Sequence, residues 1–128
     1  MKIEHMAIWV RDLEKTKDFY TTYFQMSCGE KYINEEKQFF SYFLSFEGGA
    51  RLEIMHRPDI SEHPGKAGSS YGLTHLAISV GSKERVDELT EKIRAGGFSV
   101  VSEARTTGDG YYESVVTDPE GNLVEITQ

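Results

Sequence analysis

Apolar and polar positions alternate from Lys2 to Val10, which predicts a strand with Met6, Ile8 and Val10 on one face and Ile3, His5, Ala7 and Trp9 on the other. The period then lengthens. Asp12 is placed to cap a helix starting at Leu13, and Leu13, Phe19, Tyr20, Tyr23 and Phe24 recur at helical spacing, so the helix is expected to end near Gln25. Three strand-like runs follow, at about residues 29–33, 38–46 and 51–56, with Gly48-Gly49 as the last turn. Together they predict a meander.

Residues 58–71 are rich in Pro, Gly and Ser and read as a surface connection, after which the pattern restarts. Leu73 to Val80 alternate like the first strand, and Ser82 caps a helix with Val86, Leu89 and Ile93 facing inward. Gly96-Gly97 ends that helix, and strand-like runs follow at residues 98–102, 111–117 and 123–127. Asp118-Pro119 opens the last turn and Gly121-Asn122 supplies the positive φ that closes it. Strand, helix and three strands thus occur twice, which divides the chain into repeats 1–57 and 72–128 joined by loop 58–71.

The repeat changes how the polar residues are read. Aligning the copies places His5 on His75, 70 positions apart, and Glu53 on Glu125, 72 apart. Each half then offers one histidine in its first strand and one glutamate in its last. If those strands are neighbours, each half holds a His–Glu pair, and pseudo-symmetry is expected to bring the pairs around one point. Two imidazoles and two carboxylates suit a catalytic divalent ion with room for water or substrate better than a closed structural site. Taken singly, each residue has an ordinary explanation: a satisfied strand histidine, a Glu53 paired with Arg51 or Arg57, a solvated Glu125. The match across both halves favours the metal site. His56 is expected to face away from Glu53 and His63 to lie in the loop, so neither is given a role.

Composition narrows the partners. The 128 residues, 38% hydrophobic, suffice for the core of one domain. A net charge of −7 and the lack of a basic patch argue against nucleic acid or an anionic membrane. Cys28 is the single cysteine, excluding an intrachain disulfide. With no apolar signal segment or membrane span in view, a cytoplasmic location is expected.

The motifs Glu4-His5-Met6-Ala7-Ile8, Asp12-Leu13 through Asp18-Phe19-Tyr20, Leu73-Thr74-His75-Leu76-Ala77-Ile78, and Asp118-Pro119-Glu120-Gly121-Asn122 leading to Glu125 resemble the vicinal oxygen chelate (glyoxalase/bleomycin resistance/dioxygenase) superfamily. Within it, the His, Glu, His, Glu order is most similar to bacterial glyoxalase I (lactoylglutathione lyase). The resemblance implies an α+β fold of paired βαβββ modules, with curved mixed sheets enclosing a cleft, in a homodimeric enzyme of methylglyoxal detoxification.

It further implies one nickel, cobalt or zinc ion held by His5, Glu53, His75 and Glu125. The reaction isomerises the hemithioacetal of methylglyoxal and a thiol to a lactoyl thioester by proton transfer through an enediolate. Glu125 is the expected base, and Glu53 a ligand and second base. Where glyoxalase I usually has an arginine and an asparagine that bind glutathione, this chain has Trp9 and Arg57. Together with Tyr111, and with Phe39 and Phe43 as neighbours, they suggest a more apolar substrate pocket. The alternatives are a related metal-dependent epimerase acting on an acyl thioester, whose family has glutamine at position 53, and a metal-free drug-binding module of the bleomycin-resistance type. Extradiol dioxygenases and fosfomycin-type thiol transferases use three ligands, which a fourth at Glu53 argues against.

Overall fold

A computed structural model describes residues 1–61 and 71–128. The chain divides into two compact units, Met1–His63 and Pro64–Gln128. Most of the Pro/Gly-rich connection, with His63, lies outside the described residues.

In the first unit the order is β1 (His5–Trp9), α1 (Leu13–Tyr23), β2 (Ser27–Cys28), β3 (Tyr32–Asn34), β4 (Phe39–Ser45) and β5 (Arg51–His56). β1 lies parallel to β5, β5 is antiparallel to β4, and β2 and β3 both pair with β4, giving a mixed sheet. β1 is shorter than the alternation from Lys2 predicts, because its partner begins only at Arg51; Glu4 is the last residue before it to bond across, accepting from Arg51 N at 3.0 Å. The run predicted at 29–33 is split instead. Four steps from Cys28 to Tyr32 face three from Leu44 to Ser41, so one extra residue bulges out near Gly29.

The second unit repeats the plan with β6 (His75–Ser79), α2 (Lys83–Ala95), β7 (Val100–Thr106), β8 (Tyr112–Thr117) and β9 (Leu123–Thr127), in the sheet order β6-β9-β8-β7. β7 runs farther than residues 98–102 because its second half is polar and extends along the sheet edge, where alternating hydrophobicity gives no signal.

Each helix covers one sheet face. Asp12 and Ser82 cap the two helices as expected, accepting from Lys15 N and Arg85 N. Leu13, Phe19, Tyr20 and Phe24 are buried with Leu44, Leu52 and Ile54 in the first core, and Val86 and Ile93 with Val116, Val124 and Ile126 in the second. Leu89 is only half-buried; Thr90, one residue on, takes the inward position. Its hydroxyl bonds the Val86 carbonyl and meets the Ser114 hydroxyl, both at 2.6 Å, so a polar side chain is accommodated inside an apolar core. No helix among the described residues is long and apolar enough to cross a membrane.

Candidate functional site

The sheet face that each helix leaves open carries the candidate chemistry. On β1 the burial alternates so that Met6 and Ile8 turn toward the core while His5, Ala7 and Trp9 stay exposed, and β6 does the same with His75, Ala77 and Ser79. The parallel pairing sets Ala7 opposite Glu53 and Ala77 opposite Glu125. Alternation then puts each histidine on the same face as the glutamate, one diagonal away. His5 Nε2 lies 3.8 Å from Glu53 Oε2, and His75 Nε2 lies 3.6 Å from Glu125 Oε2. The two glutamate side chains are only 15% and 18% exposed, so these carboxylates are largely withdrawn from water.

The turn before Glu125 has a local cause. The buried Asp118 carboxylate accepts from the backbone N–H groups of Glu120 and Asn122 and from Asn122 Nδ2, each at 2.9 Å, and Gly121 supplies φ +86°. Asp118 thereby helps fix where β9 begins in its hairpin with β8.

The pairs are supported differently. In the first unit, Glu4 Oε2 lies 2.5 Å from His5 Nδ1 and Glu4 Oε1 lies 2.5 Å from Arg51 Nη2. The contact with His5, aided by Arg51, lowers the Glu4 pKa. A carboxylate accepting from one ring nitrogen fixes the orientation and tautomer of the imidazole and leaves the lone pair of the other nitrogen open to a metal ion. In the second unit Thr74 and Leu123 occupy the matching positions. There the glutamate rather than the histidine has the acidic neighbour, a residue the sequence reading missed: Glu113 shares the face with Val115, which stands opposite Glu125. Its side chain is 12% exposed, stands one diagonal from Glu125 on the same sheet face, and lies 3.6 Å from Arg105 Nη2. Burial first, and then the adjacent Glu125, push the Glu113 pKa up. The signal available in the sequence was a second carboxylate of the right strand parity, but its closeness to Glu125 required the register between β8 and β9.

Among the described residues no three His, Cys, Asp or Glu side chains are grouped as a ready metal-ligand set, so each unit presents its histidine and glutamate as a pair. The donor types, imidazole with carboxylate, fit a divalent transition ion, and the Glu4 contact on His5 is the kind of outer support such ligands carry.

Trp9 and Arg57 meet. The guanidinium carbon lies 5.6 Å from the indole centroid, Phe39 packs edge-on to Trp9 at 6.0 Å, and Arg57 Nη2 donates to Asp59 at 3.0 Å. Phe43 packs edge-on to His5 at 5.5 Å, because its position on β4 is opposite Glu53. Tyr111 belongs to the second unit and is 55% exposed; its carbonyl accepts from Thr107 N at 2.8 Å, closing the loop before β8. His56 faces away from Glu53 as expected, with Nδ1 2.9 Å from the Val10 carbonyl.

The family model of the Glyoxalase/Bleomycin resistance protein/Dioxygenase superfamily matches residues 2–126. The chain belongs to this superfamily. It is 30% identical to the lactoylglutathione lyase of Escherichia coli O157:H7 over 100% of this chain and 93% of that protein. An uncharacterized protein of Bacillus subtilis, YqjT, is 31% identical over 97% of this chain and 96% of its own length. Among solved structures, a glyoxalase I mutant from Zea mays superposes with TM-score 0.82 at 23% identity, covering 99% of this chain and 45% of that one. The chain therefore spans under half of the maize protein. These likenesses establish the α+β glyoxalase-like fold.

Proposed function

We propose that this superfamily member is a metal-dependent lyase of the glyoxalase I type, in which the pairs His5–Glu53 and His75–Glu125 supply four ligands to one nickel, cobalt or zinc ion. The observation that carries the reading is the repetition of one His–Glu geometry, at 3.8 and 3.6 Å, on the open face of both parallel strand pairs. The 30% identity to a lactoylglutathione lyase over the whole chain supports the reaction class. On this reading the two units are the two modules of one domain, and the exposed faces of β1 and β6 are completed in a homodimer.

The ion supplies positive charge against an oxygen that becomes anionic as the neighbouring carbon loses its proton. Glu125 takes that proton from the hemithioacetal carbon, and the proton's return to the adjacent carbon yields the 2-hydroxy thioester; Glu53 serves the opposite face. Glu4 holds His5 so that Nε2 points toward Glu53. Trp9, Phe39 and Arg57 form the part of the first unit's face that receives the thiol portion of the substrate, and Tyr111 contributes from the second unit. The Arg57 charge is already met by Asp59 and that of Arg51 by Glu4, which suits a thiol less anionic than glutathione.

Metal analysis after reconstitution with nickel, cobalt or zinc, followed by isomerase assays with several methylglyoxal–thiol adducts, tests the proposal. One ion per site and metal-dependent formation of a lactoyl thioester are expected. A protein that binds none of the three ions refutes it.

A further inference from the structure

The two units match strand for strand, so a difference between them at equivalent positions is informative. His5 stands opposite Arg51 and His75 opposite Leu123; Phe43 stands opposite Glu53 and Val115 opposite Glu125. Glu4 has Thr74 as its counterpart. An arginine, the acid that meets it and an aromatic ring thus occur together in the first unit, and all three are replaced in the second.

Arg51 stands where it could disable the site. It lies two residues before Glu53 on β5, and because Leu52 and Ile54 are buried on the helix side, both side chains emerge on the open face. Same-face neighbours on a strand are roughly 7 Å apart, a gap an arginine spans, and a guanidinium–carboxylate pair is among the stronger hydrogen-bonded contacts. Such a pair would occupy the Glu53 oxygens. It is not made: Glu53 Oε2 lies 3.8 Å from His5 Nε2, while Arg51 Nη2 donates to Glu4 Oε1 at 2.5 Å. The Arg51 guanidinium carbon also lies over the Phe43 ring, 4.0 Å from its centroid, a favourable cation–π contact. Phe43 in turn meets His5 edge-on at 5.5 Å. β5 runs between β1 and β4, with His5 level with Arg51 and Phe43 level with Glu53, so the two rings meet over β5 between the arginine and the glutamate.

We infer that Phe43 is a positioning residue that keeps Glu53 free of Arg51: its ring face holds the guanidinium against Glu4, and its edge contact with His5 closes the way to Glu53. The arginine is useful as the tether of Glu4, and the ring prevents it from taking the neighbouring carboxylate instead. Leu123 presents no such competitor to Glu125, which accounts for Val115 and Thr74 in the second unit.

This inference rests on Glu53 being a metal ligand, and the test separates the two. Cobalt affinity is measured by calorimetric titration for the parent, Phe43→Leu and Phe43→Met, and for each of these with Arg51→Gln. The first two substitutions keep the position apolar without a ring face, and the third removes the charge. With Arg51 present, Phe43→Leu and Phe43→Met are each expected to weaken cobalt binding about tenfold, the strength of a hydrogen bond to a charged group. Combined with Arg51→Gln they should change it little, because no guanidinium is left to take Glu53. Undiminished affinity in Phe43→Leu and Phe43→Met overturns the inference, as does an equal loss with and without Arg51→Gln, which would mean that the ring acts on His5 alone. If the parent binds no cobalt, the metal reading fails. Crystal structures of metal-free parent and Phe43→Leu then decide the inference: a guanidinium that swings onto Glu53 upholds it, and one that stays on Glu4 refutes it.

Discussion

Glu4 and His5 are sequence neighbours whose side chains meet at 2.5 Å, Oε2 to Nδ1, although adjacent strand residues normally point to opposite faces. Glu4 precedes the strand and curls back, tethered by Arg51 from β5. Glu4→Ala is therefore expected to weaken metal binding by about tenfold, the lower end for loss of such support. His5→Ala should cost far more. Calorimetric titration with nickel checks both, and an unchanged Glu4→Ala affinity would remove Glu4 from the site.

Glu125→Gln preserves the length and shape of the proposed base but cannot take the proton. Turnover is expected to fall at least about a hundredfold, the lower end for general base catalysis, with a smaller loss of metal affinity. A variant with parental kcat would dismiss Glu125 as the base.

Trp9 and Arg57 are expected to set thiol preference rather than rate. Trp9→Arg combined with Arg57→Asn should lower KM for the glutathione adduct with little change in kcat, since contacts remote from the reacting carbons bind ground and transition states alike. Steady-state kinetics with the glutathione adduct decide it; an unchanged KM contradicts the pocket assignment.

Asp118, itself buried, accepts from three donors in a turn whose tip at Gly121 is exposed. Asp118→Ala removes their shared acceptor, which should destabilise the protein by about 1–2 kcal/mol. Because β9 starts from this turn, metal affinity should fall as well. Urea denaturation with a parallel metal titration provides the check, and a stability loss with intact affinity would show that β9 keeps its register unaided.

Glu14 gives a pH dependence away from the site. Hydrogen bonds from Lys17, then Lys31 and Tyr42, bring its pKa from 4.5 down to about 2. A group depressed on folding contributes stability that is present above its unfolded pKa of 4.5 and lost as the pH falls toward 2. The advantage of the parent over Glu14→Gln in urea midpoint should therefore be largest near neutral pH and shrink through that window. The carboxylate is half exposed, so the effect is modest and diminishes with salt. A difference independent of pH would show that the ion pairs contribute nothing.

The features determined by sequence alone are those with local causes. Alternation in β1 and β6 put His5 and His75 on the face opposite that of Met6 and Ile8 and their counterparts Leu76 and Ile78, and short polar side chains marked the caps at Asp12 and Ser82, because strand parity and capping depend on neighbours a few positions away. The internal repeat carried this further by placing Glu53 and Glu125 in equivalent strands. What the tertiary structure decided lies between strands distant in sequence. The 3.8 and 3.6 Å His–Glu approaches depend on the parallel registers of β1 with β5 and β6 with β9, and the placing of Glu113 diagonal to Glu125 depends on the antiparallel register of β8 with β9. A one-residue slip in any of these would turn a side chain to the other face. Register is set by core packing and by turns such as Asp118 to Asn122 acting together, so no single stretch of the chain encodes it.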